Sequence, residues 1–371
     1  MKKEHKSLIR KDGFQTLLAS LVCVLGGLIV GYLVLLIIEP SGAFEAIVAV
    51  MKSFLRFPGA LKLKYFGQAL VRTAPLLLCA LSVLFAYKVG MFNIGAAGQY
   101  CAGACAALYA ALAWNMPWYV CILLGMLAGA LRTLFNVNVV ISGIMLNWIT
   151  LYLTNLVLGT VKNPTSPYTK TLQSTNPGAL IPSLGLEKLF NNEKSVTIAI
   201  PLAVLTAVLV WVVLNKTKFG YELKATGSNY NAAKYCGMKE NQNIILTMVI
   251  AGALAGFGAG LLYLTGIEDW ETTISSVPAM GFNGIAVAFL GGLSPIGSIL
   301  SAFFIQYITT GGGNVDLQVY CSQISSLISA LIIYLCAFVG FFKYFIQTRL
   351  RKADERKAAK AAQIQEGGED K

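Results

Sequence analysis

The sequence contains very few of the residues that catalysis and metal binding require. It has 371 residues but one histidine, His5, and only 12% of its residues are charged, against about 25% in a typical soluble protein. The eight cysteines form no CxxC pair and no metal-type spacing. No GxxxxGK[ST], HExxH or GxSxG motif occurs. We therefore expect no metal, no cofactor, no membrane enzyme and no ATP hydrolysis on this chain.

Long apolar runs are what the sequence does contain. Hydrophobic residues make up 56% of the chain, and many runs approach the roughly 17–25 residues that cross a bilayer as a helix. The sequence predicts an all-α polytopic membrane protein with about ten transmembrane helices. The expected spans are 14–38, 66–86, 92–113, 117–132, 138–160, 196–214, 244–266, 280–293, 296–312 and 321–343. Residues 280–312 could also form one long span instead of two that turn at Ser294-Pro295.

Charge indicates the orientation of these spans, because Lys and Arg collect in the cytoplasmic loops of membrane proteins. With ten spans, most of the 29 Lys and Arg fall on one side, in 1–12, 216–239 and 343–371 and at Lys88 and Arg132. We therefore expect both termini in the cytoplasm. The net charge of +12 then reflects orientation, and we expect no nucleic-acid partner.

The same pattern divides the chain into regions. We expect a cytoplasmic arm at 1–13, a transmembrane domain at 14–343, and a charged cytoplasmic tail at 344–371 that could extend the last span as a helix. Within the domain, residues 161–195 are rich in Pro, Thr, Ser and Asn and predict an external loop. Residues 39–64 predict an amphipathic helix at the membrane interface, although its four Lys and Arg oppose the assigned orientation.

A polar, glycine-rich island interrupts the apolar tract at residues 89–99 and contains Asn93 and Gln99. Amides are costly in a bilayer unless they face protein or a water-filled path. With Asn147 and Asn283 they could bind hydroxyls or nucleobase edges along a path, or they could only join helices. Phe282 could stack on a substrate or pack against lipid.

The basic loop at 216–243 is the second informative segment. Its residues 232–236 form helices readily, with Ser228 or Asn229 as N-cap and Gly237 as the terminator. Such a capped cytoplasmic helix suits the docking of a soluble partner. The spacing alone is equally consistent with a basic loop that only sets orientation.

Four segments in sequence order resemble the permeases of bacterial ABC importers in the nucleoside and simple-sugar group. That group belongs with the ribose and branched-chain amino acid permeases. The segments are VRTAPL through FNIGAAGQ at 71–99, VISGIMLNW at 140–148, the 220–237 loop with IAGALAG at 250–256, and GFNGIAVAFLG at 281–291. The resemblance covers most of residues 65–312.

The resemblance implies that the 220–237 loop is the coupling helix that contacts a separate ATPase. The implied coupling residues are Gly220, Glu222, Lys224, Gly227, Asn229, Ala232, Ala233 and Gly237. It also implies an ATPase with two nucleotide-binding halves in one chain, a second homologous permease, an extracytoplasmic substrate-binding protein and a place in the bacterial plasma membrane. The alternative is a stand-alone secondary transporter or channel, which the scarcity of carboxylates within the spans disfavours.

Two departures from the family pattern concern the fourth span and the loop after it. Val139 occupies a position where relatives tend to have Glu, and the segment 125–133 looks several residues short. The path through this protein could therefore differ from that of its relatives.

Overall fold

The structure is a computed structural model that describes residues 12–133, 141–313, 327–328, 330–331, 334–335 and 338–366. Its helices are α1 Asp12–Ile38, α2 Ala43–Lys52, α3 Gly59–Lys88, α4 Ala96–Leu112, α5 Trp118–Thr133, α6 Ile141–Gly159, α7 Leu172–Thr175, α8 Leu186–Leu189, α9 Ala199–Lys216, α10 Lys218–Ser228, α11 Tyr230–Tyr235, α12 Glu240–Tyr263, α13 Ala279–Leu290, α14 Pro295–Gly312 and α15 Val339–Glu366. Short 3-10 helices cover Ser53–Arg56 and Pro177–Ala179. Within these ranges, β structure is limited to two isolated bridges.

The helices confirm the expected all-α polytopic membrane fold. In α1, α3, α9 and α12, length and hydropathy suffice to cross a membrane, and α5, α6 and α13 are shorter apolar helices. Helix α3 is the most enclosed of the long spans, with 89% of its apolar window buried. The arm before Asp12, Val139 and residues 321–326, 329, 332–333 and 336–337 of the expected span 321–343 lie outside the described residues. The orientation of the termini stays a prediction.

The expected interfacial helix at 39–64 is wrong in its extent. Residues 59–64 belong to α3, whose first turns carry the basic side chains. The remaining part contains α2, which packs on α14. Gly311 has no side chain, so the backbone of α14 can approach the Val50 carbonyl of α2. The Ser53 hydroxyl donates to the Tyr307 carbonyl over 2.9 Å. One face of α2 is therefore buried against α14.

Other sequence expectations are met more closely. Helix α13 ends at Leu290 and α14 begins at Pro295, so residues 280–312 form two helices with the expected turn. Proline is common in the first turn of a helix, because the N–H group that it lacks would have no hydrogen-bond partner within the helix there. The tail also continues the last helix, because α15 runs without a break to Glu366.

A joint of small residues holds α4, α5 and α12 together at the centre of the bundle. A Cβ at Gly256 of α12 would overlap the Gly125 carbonyl of α5, and one at Gly103 of α4 would overlap Gly256. Gly129 and Gly252 make the same kind of contact one turn away. Such close backbone approach is how membrane helices associate without a hydrophobic driving force. The short α5 is thus fixed by backbone contacts with its two neighbours.

Candidate functional site

The polar island forms a buried amide cluster at the start of α4. The side-chain N–H group of Asn93 donates to the Ser82 hydroxyl over 3.0 Å and to the Gln99 side-chain oxygen over 2.9 Å. All three residues are at most 1% exposed. The Asn93 Oδ1 atom is buried and has no hydrogen-bond partner among the described residues. An unpaired buried oxygen of this kind costs about 1–3 kcal/mol, so the cluster has one open position for a donor.

Asn147 of α6 caps α4 from outside. Its Oδ1 atom accepts from the Gly98 backbone N–H over 2.9 Å, and its Nδ2 atom donates to the Ile94 carbonyl over 3.1 Å. The N-cap residue of α4 is Gly95, which has no side chain to cap the helix. The first amides of a helix lack partners within it, so Asn147 supplies one from a neighbouring span.

The other two predicted path residues lie on α13 and join no hydrogen bond with this cluster among the described residues. Asn283 is half-buried, and Phe282 is 41% exposed. Helix α13 nevertheless packs tightly beside the cluster, since a Cβ on Gly281 would meet the backbone nitrogen of Ala97 at 2.5 Å. The structure therefore brings Asn93, Gln99 and Asn147 together and leaves Phe282 and Asn283 on the adjacent helix.

An aromatic column that the sequence analysis missed joins α4, the helix that carries Gln99, to α12 and to the segment after it. Tyr100 follows Gln99 in the chain, and its ring centroid lies 6.3 Å from that of Tyr263 at the end of α12. The Tyr263 ring lies 5.6 Å from that of Trp270. The three aromatics are at most 7% exposed. Their sequence separation gives no signal, because only the packing of α4 against α12 brings them together.

Trp270 belongs to a clasp between the loop after α6 and the segment after α12, which we call the external clasp because the sequence predicts that this end of the bundle faces outward. The Thr169 N–H donates to the Trp270 carbonyl over 2.9 Å, and the Trp270 indole donates to the Asn155 side chain over 2.9 Å. Arg72 of α3 pairs with Glu268 at 3.0 Å. The clasp walls a cavity of about 560 Å³, lined by Tyr168, Tyr263, Glu268, Asp269, Trp270, Glu271, Ile274 and Pro278.

At the other end of the bundle, the 216–243 loop contains two capped helices instead of the single one predicted. The additional helix is α10, whose N-cap is Thr217, and the Thr217 hydroxyl oxygen accepts from the Gly220 N–H over 3.1 Å. Asn229 caps α11, accepting from the Ala232 N–H over 3.0 Å. Gly237 follows α11 with a φ of +75°, as a helix terminator should. The expected cap and terminator of α11 are thus confirmed.

Gly227 joins this loop to the polar island. A Cβ on Gly227 would overlap the Lys88 carbonyl and would lie 2.9 Å from the Val89 carbonyl carbon. Lys88 and Val89 end α3, and Gly90 turns the chain there with a φ of +79°. Helix α10 therefore presses, backbone to backbone, on the turn that leads to Asn93.

The remaining residues of the predicted coupling set either hold α10 and α11 or face outward. Gly220 allows α10 to approach the Leu214 backbone, Glu222 pairs with Lys218 at 3.7 Å, and Lys224 donates to Asn215 over 2.8 Å. In α11, Ala233 is buried and Ala232 is exposed. Sequence reasoning missed Tyr235, which is 93% exposed at the end of α11.

Comparison with known proteins agrees with this arrangement. Residues 65–337 match the family described as the permease component of branched-chain amino acid transport systems. The chain is 30% identical to the guanosine ABC transporter permease protein NupP of Bacillus subtilis, over 91% of this chain and 97% of that protein.

Two further relatives have related names. The nucleoside ABC transporter permease protein NupB of Lactococcus lactis is 32% identical over 80% of this chain and 84% of its own. The glucose ABC transporter permease protein TsgB13 of Haloferax volcanii is 28% identical over 75% of this chain and 77% of its own. No solved structure gives a significant match.

Proposed function

Because the chain belongs to the permease-component family of branched-chain amino acid transport systems, we propose that it forms the translocation path of an ABC importer for nucleosides or related simple sugars. As a permease component it is a transport subunit and not an enzyme. Two relatives, at 30% and 32% identity, are named for guanosine or nucleosides, which favours nucleosides over glucose.

The contact between Gly227 and the end of α3 is the observation that carries the proposal. An importer must convert movement of its cytoplasmic helices into opening of a path within the membrane. Here the Gly227 backbone of α10 lies against the backbone of the Lys88–Gly90 turn, so at this point no side chain lies between the two to absorb a displacement of α10. The turn continues into Asn93 and Gln99, whose amides can exchange hydrogen bonds with a hydroxyl-rich substrate. Phe282 and Asn283 form the adjacent wall of the proposed path.

The proposed transport function also requires partner proteins. We assign the docking of the ATPase to α11 and its flanks, where Tyr235 is almost fully exposed beside Asn229, Ala232 and Gly237. An exposed aromatic side chain next to a capped helix is suited to anchoring a protein interface. We further propose that this chain assembles with an ATPase that has two nucleotide-binding halves in one chain, with a second homologous permease and with an extracytoplasmic substrate-binding protein. We propose that the complex lies in a bacterial plasma membrane.

Reconstitution tests this proposal directly. Proteoliposomes containing the permease complex, its ATPase and its binding protein should accumulate inosine, guanosine or uridine only when ATP is present, and should do so faster than ribose or glucose. Omission of the ATPase should abolish accumulation. Uptake by this chain alone, driven by a sodium or proton gradient, would overturn the proposal in favour of a secondary transporter.

A further inference from the structure

The external cavity has the dimensions and the lining of a small-molecule site. Its volume of about 560 Å³ falls within the roughly 300–1,000 Å³ of typical ligand pockets. Tyr168, Tyr263 and Trp270 line it together with three carboxylates. Aromatic walls with a few polar groups are the usual composition of such pockets. The cavity lies at the outer end of the aromatic column that leads to the amide cluster.

Asp269 is the carboxylate with free acceptor capacity in this cavity. Glu268 is paired with Arg72, and the Glu271 side chain accepts from the Thr273 hydroxyl over 3.1 Å. Asp269, in contrast, has no hydrogen bond or ion pair within the described part of the chain. Partial burial raises the pKa of the Asp269 carboxyl above its ordinary value, because the carboxylate loses contact with water and gains no hydrogen bond from the described residues in return. A ligand that donates hydrogen bonds would replace the lost water.

We infer that this cavity is an entry site for an uncharged ribonucleoside, in which the Tyr168 ring stacks on the base and the Asp269 carboxylate accepts hydrogen bonds from the ribose hydroxyls. The two oxygens of a carboxylate accept from neighbouring hydroxyls, as acidic residues do for the ribose of bound dinucleotides. Tyr168 is 44% exposed, so its ring is available for stacking. This inference rests on the proposed function and adds to it a site and a sugar preference.

The same lining excludes nucleotides. A phosphate group carries about −1.5 to −2 charge at pH 7. Glu268, Asp269 and Glu271 place three carboxylates in the cavity, and Arg72 neutralises one of them. Repulsion between the phosphate and the remaining charge opposes entry of a nucleoside monophosphate, whereas a neutral nucleoside meets only hydrogen-bond acceptors.

The buried end of the column offers a second position of the same chemistry. Tyr263 leads to Tyr100, and Tyr100 adjoins Gln99 of the amide cluster, where the Asn93 oxygen lacks a donor. The aromatic column thus connects the cavity to α4, the helix that carries Gln99 of the amide cluster. This connection is the reason to regard the cavity as part of the path.

Weak binding to the cavity can be measured by saturation-transfer difference NMR. The full permease complex is placed in lipid nanodiscs without the binding protein, and inosine, 2′-deoxyinosine and inosine 5′-monophosphate serve as probes. We expect titrations of this signal to give inosine a Kd at least about threefold lower than that of 2′-deoxyinosine and about tenfold lower than that of the monophosphate, the latter ratio being equivalent to ~1.4 kcal/mol. Equal Kd values for the three probes would overturn the inference.

Matched variants identify the residues responsible. Tyr168→Ala should remove the inosine signal, whereas Tyr168→Phe, which keeps the ring, should retain it. The backbone of Tyr168 bridges to Glu271, so the side chain can be truncated without breaking that pairing. Asp269→Asn should abolish the preference for inosine over 2′-deoxyinosine and strengthen the monophosphate signal. A preference that survives Asp269→Asn, or a signal that survives Tyr168→Ala, would contradict the assignment.

Uptake by the same complex separates this inference from the proposed function. The preparation is supplemented with ATPase and binding protein and assayed for ATP-driven inosine uptake. Uptake with no NMR signal for inosine overturns the cavity assignment alone. Absence of uptake with the expected NMR pattern overturns the transport proposal and leaves the binding site standing.

Discussion

Two of the places where helices of this protein meet backbone to backbone differ in their surroundings. The inner joint links α4, α5 and α12 through Gly103, Gly125 and Gly256 in the apolar centre of the bundle. The outer joint links α10 to the end of α3 through the Gly227 backbone, and the Phe219 ring of α10 also lies 6.5 Å from the Phe85 ring of α3. The inner joint is repeated one turn away by Gly129 and Gly252, and the outer joint has no such repeat among the described contacts of these helices.

This difference assigns the two joints different mechanical roles. Helices held at successive turns cannot slide without losing several close contacts at once, since packed interiors do not deform continuously. A single close backbone contact at a helix end allows one helix to push the other and still to rotate about it. We therefore expect the inner joint to hold the bundle, and we propose that the outer joint transmits movement from the α10 and α11 helices to the polar island.

Breaking the inner joint should have the largest effect. Gly256→Ala introduces a methyl group that would overlap the Gly125 carbonyl, and overpacking of this kind costs about 3 kcal/mol or more when backbone must move. We expect loss of a monodisperse peak on size exclusion and a large fall in melting temperature. Gly260→Ala is the control one turn along α12, since its nearest neighbour would lie 3.5 Å away. Equal stability of the two variants would contradict the role of this joint.

Loss of the Asn147 hydrogen bonds that hold the start of α4 should have the second largest effect. Asn147→Leu leaves the Gly98 N–H and the Ile94 carbonyl without their buried partner, at a cost of about 2 kcal/mol. Asn283→Leu is the comparison, because Asn283 makes no hydrogen bond among the described residues and is only half-buried. We expect Asn147→Leu to lower the melting temperature and Asn283→Leu to change uptake more than stability. The opposite pattern would refute this division of roles.

Altering the outer joint should impair transport while the fold survives. Gly227→Ala would overlap the Lys88 carbonyl and force α10 away from the turn before the polar island. We expect ATP-driven inosine uptake to fall by about tenfold, ~1.4 kcal/mol in the barrier, with melting temperature nearly unchanged. Gly159→Ala, at the end of α6 with nothing within 4 Å, is the control. A fall in stability as large as that of Gly256→Ala would make the two joints equivalent.

Much of this architecture could be predicted from the sequence because it depends on local signals. Apolar length gave most spans, the Ser294-Pro295 turn divided 280–312, and the cap and terminator of α11 were assigned from residue type alone. The cluster of Asn93, Gln99 and Asn147 was anticipated as a set of costly amides in apolar surroundings. The sequence could not separate Asn147, which holds α4 in place, from the residues proposed to line the path. That distinction depends on which atom of a neighbouring helix each amide contacts.

The remaining features depend on contacts between distant segments. The aromatic column joins residues from α4, α12 and the loop after it, and the external clasp joins Thr169 to Trp270. Residues 59–64 were misassigned because their lysines suggested an interface, whereas they form the first turns of α3. Helix α10 was missed because its overall hydrophobicity is low, and its Thr217 cap became evident only from the geometry.

The smallest expected effect concerns the cap of α11, at the far end of the outer joint. Asn229→Ala removes the acceptor of the Ala232 N–H, which costs a helix about 1 kcal/mol. A six-residue helix depends heavily on its cap, so we expect α11 to fray and the permease to bind its ATPase less than tenfold more weakly, measured by surface plasmon resonance. Asn229→Asp retains a capping oxygen and should bind nearly as the unchanged protein does. If alanine and aspartate weaken binding equally, the side chain itself contacts the ATPase and the cap is incidental. If neither changes binding, docking does not involve α11, and movement reaches Gly227 by another surface of α10.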